Sequence, residues 1–354
     1  MAKKATVTAQ IERARSAQFE DFLKEMSKDR PGEVMLLGEN GGTDVDAVPS
    51  GAISLDVALG VGGFPRGRII ELYGPEMSGK TSLALSVAAQ CQRNGGTVGF
   101  VDAEHALNRQ HALDMGVDPN LMVIYQPSSG EDAIQMVEKM IESRAFDIVI
   151  VDSVAALTPQ AEIDGEIGDQ QMGLHARLMS KFMRRIAGPC NETNTMLILI
   201  NQIRANLGSY GAPEVSTGGK AIKFYASVRV EVRSAASKKI ERNKVVVGQT
   251  CVATVKKNKV GPPHRVAEYD LIFGEGIQAE GSIVDVAEQL GLITRAGASY
   301  TEVSTGEKIG VGKETVKARI GEDADLRERL VSGVYASLAN RGAVSRPETE
   351  EIAD

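Results

Sequence analysis

The chain has 354 residues, 42% hydrophobic and 25% charged, which suits one large buried core with smaller satellites. Its formal net charge of −7 argues mildly against a polyanion as partner, and no run approaches 18 uncharged apolar residues, so no membrane span is expected. Three distant cysteines, Cys91, Cys190 and Cys251, have no metal-ligand spacing; with no apolar segment after Met1-Ala-Lys-Lys-Ala, they read as reduced thiols of a cytoplasmic protein.

Residues 8–27 predict an amphipathic helix, with Ile11, Ala14, Phe19, Phe22, Leu23 and Met26 near one stripe, ended by Pro31-Gly32. So isolated a stripe needs a core of its own or a neighbouring subunit. Residues 33–62 carry apolar runs between Gly-rich turns. Arg68–Tyr73 reads as a strand, followed by a Gly-rich turn and a helical run from Thr81 to Arg93. Further strands are expected at Gly96–Asp102, Phe146–Asp152 and Thr195–Asn201, with helices at 131–144 and 172–187. Strands this continuously apolar are buried on both faces, as in a mostly parallel sheet flanked by helices. Val228–Val232, Thr250–Val255 and Ala267–Ile272 alternate better and predict antiparallel strands extending that sheet. Residues 279–340 form an expected small C-terminal α/β domain, and 341–354 an acidic, disordered tail.

Charge is unevenly spread. Gly219–Arg265 holds twelve Lys or Arg against two acids, whereas Val266–Asp354 holds nine basic and seventeen acidic residues. Anion binding follows the local field rather than the sum, so the basic stretch reads either as a polyanion site or as a solvated face.

Gly74-Pro75-Glu76-Met77-Ser78-Gly79-Lys80-Thr81 fits G-x-x-x-x-G-K-[ST] between a predicted strand and a predicted helix. Backbone N–H groups and the helix N-terminus cradle phosphates there. Lys80 is expected on the β- and γ-phosphates, and Thr81 on Mg²⁺. Asp152, closing an apolar strand, suits the second Mg²⁺ contact. Glu104 and Asp102, at the end of another strand, are rival candidates for the base that deprotonates the attacking water. Gln202 either senses the γ-phosphate or is a surface amide. Residues 160–173 and 203–219 are long, aperiodic and adjacent to the same sheet edge, as loops coupling ATP state to a polyanion would be.

Together these strings resemble the bacterial RecA recombinases across nearly the whole chain to about residue 320. The resemblance rests on Pro49–Asp56, Gly63–Arg68, Phe100-Val-Asp-Ala-Glu-His-Ala-Leu107, Val151–Pro159, Gly173–Met179 and, most specifically, Thr217–Arg229. It implies an α/β RecA-type core over 42–278, a polymerisation arm over 1–41 docking on a neighbour, and a C-terminal module gathering duplex DNA. It selects Glu104 as the base and brings Asn108 and His111 to the adenine, where the family tends to carry an aspartate and an aromatic. It also implies that the two loops hold single-stranded DNA in a helical filament. Met172 would wedge between bases, with Arg177, Arg184, Arg204, Gly218 and Gly219 at the DNA. Lys257 and Lys259 would reach the γ-phosphate held by the adjacent subunit. The implied activities are DNA-dependent ATP hydrolysis with Mg²⁺, homologous pairing and strand exchange, and SOS repressor self-cleavage. The competing expectations are a filament scaffold acting only as co-protease, a RecA-fold helicase-type or clock-type ATPase, and a metabolic P-loop kinase.

Overall fold

A computed structural model describes residues 17–29, 45–166, 173–204, 215–216 and 218–344. Met172, residues 167–172 of the first long loop, most of the second, residues 1–16 and 30–44, and the tail beyond Val344 lie outside the described residues, as does the side chain of Arg204; residues 341–344, expected in the tail, are instead helical. The chain divides after Asp44 into two units. The first is described as one helix, α1, over 17–29, on which Phe19 and Phe22 are exposed.

The second unit opens with a two-stranded pair, β1 (Ala47–Val48) and β2 (Phe64–Pro65), enclosing helix α2 (Ile53–Leu59). Then come β3 (Ile69–Gly74), α3 (Lys80–Arg93), β4 (Val98–Asp102), α4 (Arg109–Asp114), β5 (Met122–Tyr125) and α5 (Gly130–Glu142). Next are β6 (Ile148–Asp152), α6 (Gln160–Ile163), α7 (Leu174–Thr193), β7 (Met196–Arg204), β8 (Val215–Ser216) and α8 (Ala221–Tyr225). The hairpin β9 (Val228–Arg242) and β10 (Val245–Asn258) leads to β11 (Val266–Ile272) and β12 (Gly276–Gln278). The remainder is α9 (Ala279–Gln289), β13 (Ile293–Ala296), β14 (Ser299–Glu302), β15 (Lys308–Val311), α10 (Lys313–Glu322) and α11 (Ala324–Val344).

One large sheet has the order β12-β11-β10-β9-β3-β7-β6-β4-β5, with β8 paired to β7. From β9 to β5 every pairing on this path is parallel, and from β9 to β12 every pairing is antiparallel. The stretch from Val228 is therefore not purely an antiparallel addition: β9 pairs parallel with β3 on one side and antiparallel with β10 on the other. Alternation explains how continuous apolar runs serve two cores. On β6, Ile148 and Ile150 join α2 and α3 on one face, while Val149 and Val151 join α5 and α7 on the other. Each such fully buried side chain is worth about 1.5–3 kcal/mol.

Local signals set the helix ends. Ser129 caps α5 by accepting the Asp132 N–H, with Glu131 and Asp132 in the positive first turn. α7 stops at Asn194, which takes the left-handed conformation at φ 57°. A third apolar cluster unites α9, α10, α11 and the β13-β14-β15 sheet with Ile53 of α2. Asp56 of α2, 1% exposed, accepts from the Ser50 N–H and the Tyr335 hydroxyl of α11, both at 2.8 Å.

Candidate nucleotide site and basic surface

The strand order builds the site. β7 lies between β3 and β6, with β4 beyond, so the carboxyl ends of four parallel strands open on one edge. Gly74 of β3 is level with Gln202 of β7, and Asp102 of β4 with Asp152 of β6.

Leaving β3, the chain turns so tightly that a Cβ on Gly74 would stand 2.0 Å from the Val232 carbonyl oxygen. Gly79, at φ 91°, completes the turn into α3. Lys80 is nearly buried, and its ammonium donates to the carbonyls of Gly74 at 3.1 Å and Pro75 at 2.6 Å. Burial lowers its pKa, against the opposing charges of Asp152, Glu104 and Glu76. The Thr81 hydroxyl donates to Asp152 Oδ2 at 2.7 Å. Burial pushes the Asp152 carboxyl up to about 6, with the Glu104 charge adding to it and the Thr81 bond opposing.

Asp102 and Glu104 separate cleanly here. The Asp102 carboxylate is buried and accepts the N–H groups of Ala106 and Leu107 and the Gln126 amide, at 3.1–3.2 Å. It is occupied in folding the loop that presents Glu104. Glu104 is exposed, its Oε1 accepting from the Ser153 hydroxyl and, at 3.1 Å, from Gln202 Nε2. Asn108 accepts the N–H groups of Gln110 and His111, so its side chain caps α4. His111 Nε2 is 3.0 Å from the Ser82 hydroxyl, and the ring lines a 280 Å³ cleft with Met77, Gly79, Thr81, Leu271 and Phe273.

Lys257 and Lys259 lie elsewhere. Lys257 is the register partner of Arg229, which is level with Glu71 on β3, three residues before Gly74. At about 3.3 Å per residue that is on the order of 10 Å short of the phosphate loop. The Lys257 ammonium donates to the carbonyls of Lys223 and Phe224, at 2.7 and 2.9 Å, and Lys256 is paired with Glu231. Burial, then the charges of Lys259 and Arg229, lower the Lys257 pKa. These lysines therefore belong to a different face from the loop of their own subunit.

Arg177 and Arg184 are exposed on α7, and Lys181 between them completes a stripe at helical spacing. Sequence reading passed over Lys181, although its i+4 spacing from Arg177 was available. Gly218 and Gly219, both with positive φ, lead into α8, and a Cβ on Gly219 would stand 3.2 Å from Ala176 Cβ of α7. No helix among the described residues is long and apolar enough to cross a membrane.

A glycine-wrapped phosphate loop, a strand-end acid bonded to its threonine and an exposed glutamate on one sheet edge define a P-loop nucleoside-triphosphatase. The RecA N-terminal domain matches residues 17–278 and the RecA C-terminal domain residues 281–339. A protein RecA of Helicobacter pylori is 48% identical over 313 residues, covering 87% of this chain and 88% of the relative. Protein RecA of a Nocardioides species is 46% identical, covering 92% of each, and that of Corynebacterium urealyticum is 43% identical, covering 99% and 94%. A RadB recombinase crystal structure matches in fold with a TM-score of 0.52 at 22% identity, covering 66% of this chain and 99% of that one. The chain belongs to the RecA family. Its function is that of a recombinase acting as a DNA-dependent ATPase in DNA recombination and repair, with DNA binding and filament formation. The helicase-type and scaffold readings are not favoured.

Proposed function

We propose that the chain binds ATP with Mg²⁺ at the Gly74–Thr81 loop, hydrolyses it within a helical filament on single-stranded DNA, and uses that cycle for homologous pairing and strand exchange. The observation that carries this is the convergence of Lys80, Thr81, Asp152 and Glu104 on one edge, with Thr81 and Asp152 already bonded at 2.7 Å. A hydroxyl and a carboxylate so paired are the oxygen donors that Mg²⁺ takes, and Mg²⁺ there would neutralise charge on the β- and γ-phosphates.

Within this reading Glu76, Met77, Ser78 and Gly79 present their backbone N–H groups to the phosphates, while Pro75, which has no N–H, fixes the entry to the loop. Glu104 takes the proton of the attacking water, and Gln202, bonded to it, reports the γ-phosphate. His111 closes the base cleft, while Asn108 holds the helix that carries it. Lys257 and Lys259, on the far face, complete the site of the neighbouring subunit by stabilising charge on the transferred phosphoryl group. The α7 stripe and the Gly218-Gly219 turn face DNA, with Met172 and Arg204 in the loops. Residues 1–41 serve as the arm, 42–278 as the core, 279–344 as the duplex-gathering domain and the residues beyond Val344 as the acidic tail. A self-cleaving SOS repressor is a further partner of the filament. The test is ATP turnover with and without single-stranded DNA, in the parent and in Glu104→Gln. DNA stimulates the parent, and the variant binds nucleotide but turns over at least about 10²-fold more slowly. Parental turnover by Glu104→Gln refutes the assignment.

A further inference from the structure

Glu71 sits in the middle of β3 with no exposed surface, in a strand otherwise built of Ile69, Ile70, Leu72 and Tyr73. A buried carboxylate is costly, and an apolar residue of similar volume packs at least as well at such a position. Its surroundings give it an unusual set of partners. Glu71 Oε2 pairs with Arg229 Nε, whose guanidinium also lies 4.5 Å from the centre of the Tyr73 ring. Glu71 Oε1 accepts from Asn201 Nδ2 at 2.9 Å. Asn201, fully buried, accepts the backbone N–H of Gln202 at 2.9 Å, and Gln202 Nε2 donates to Glu104 at 3.1 Å.

An unbroken polar chain thus runs Arg229–Glu71–Asn201–Gln202–Glu104. It crosses β9, β3 and β7 and ends on the loop after β4. Its first member is the register partner of Lys257, whose ammonium feels the charges of both Arg229 and Glu71. One end therefore lies at the lysine face and the other at the candidate base, with a buried charge pair between them that water cannot screen.

We propose that Glu71 is a positioning residue which couples the Lys257/Lys259 face of a subunit to Gln202 and Glu104 of the same subunit, so that successive ATP sites along the filament act in concert. The proposal rests on the shared-site reading above. A triphosphate reaching the lysines changes the field at Arg229, the pull of Arg229 on Glu71, and through Asn201 the set of the β7 end that carries Gln202. Small displacements suffice, since a misplacement on the order of 1 Å at a reacting centre can cost roughly 10²-fold in rate.

The test uses the full chain on single-stranded DNA and reads kcat, KM and the Hill coefficient in ATP. Parent filaments give a Hill coefficient above one. Glu71→Gln keeps the shape and the Asn201 bond but not the charge, so kcat falls about tenfold, KM moves less than about twofold and the Hill coefficient drops to one. Glu71→Gln/Arg229→Gln removes both charges and restores the melting temperature while leaving kcat low and the Hill coefficient at one. A purely structural ion pair requires the opposite, parental kcat and cooperativity in the double variant, and that result overturns the proposal. Should Glu71→Gln alone fail to fold, the double variant decides. Glu104→Gln run alongside separates the two readings. If it turns over at the parental rate, the site assignment fails and takes the relay with it. If it is inactive while both Glu71 variants behave as the parent, the relay alone fails.

Discussion

Asp56→Asn tests how the C-terminal helices are held to the rest of the second unit. Asp56 is buried, and burial pushes its carboxyl up to about 7 from 3.8, against the lowering bonds from Ser50 and Tyr335. Between those values the folded protein keeps a proton that the unfolded chain releases. The associated stability is therefore fully present below pH 4 and is lost as pH rises through 7, at about 1.4 kcal/mol per unit. Over some three units the loss is on the order of 4 kcal/mol. Asparagine stays neutral, still accepts the Ser50 N–H, and can donate its amide to the Tyr335 oxygen. Melting temperatures of parent and variant should coincide near pH 4 and diverge progressively up to pH 8, the variant then being the more stable by several degrees at roughly 2 °C per kcal/mol. Parallel curves across this range would show that Asp56 is already ionised in the fold and refute the linkage.

Gly74→Ala should place a methyl on the Val232 carbonyl and displace the phosphate loop, costing about 1–3 kcal/mol in stability and nucleotide binding as well; calorimetry with a slowly hydrolysed ATP analogue reads both. Arg177→Ala/Arg184→Ala should weaken single-stranded DNA binding irrespective of sequence and flatten the slope of log affinity against log salt by roughly 1.4, measured by anisotropy. Filaments mixed in equal parts from Lys80→Ala and Lys257→Ala/Lys259→Ala subunits, each inactive alone, should regain about a quarter of parental ATPase, the share of random contacts that join an intact loop to intact lysines.

The sheet's parallel half was legible because its strands announce themselves twice, as apolar runs and as the approach to Gly-rich or acidic turns. β5 escaped because Met122–Tyr125 is four residues long and half exposed, with no second face to bury. The reach of the β9–β10 hairpin was hidden for a related reason: beyond Val232 its residues pair with each other rather than with a core, so no apolar period marks them. At the site, spacing placed Lys80, Thr81 and Asp152, which are bound to motif geometry. It left Asp102 against Glu104 open, because two acids two residues apart differ only in what their oxygens touch. Glu71 gave no signal at all; one acid within an apolar strand reads as a solvated edge until Arg229 and Asn201, 158 and 130 residues away, are brought to it.

Lys257 and Lys259 stand on a different face from the loop of their own subunit, and if they serve the neighbour's loop as proposed, this sets how activity scales with assembly. Two subunits related by a twofold axis would set like face against like and complete no site. A head-to-tail row of subunits contains one fewer finished site than it has members, since the last loop meets no lysines. Short rows are poor catalysts per subunit and long rows approach a plateau, so turnover per mole reads out mean row length. Severing a row once silences one site, which makes breakage by shear or by capping partners a graded dimmer of ATP consumption.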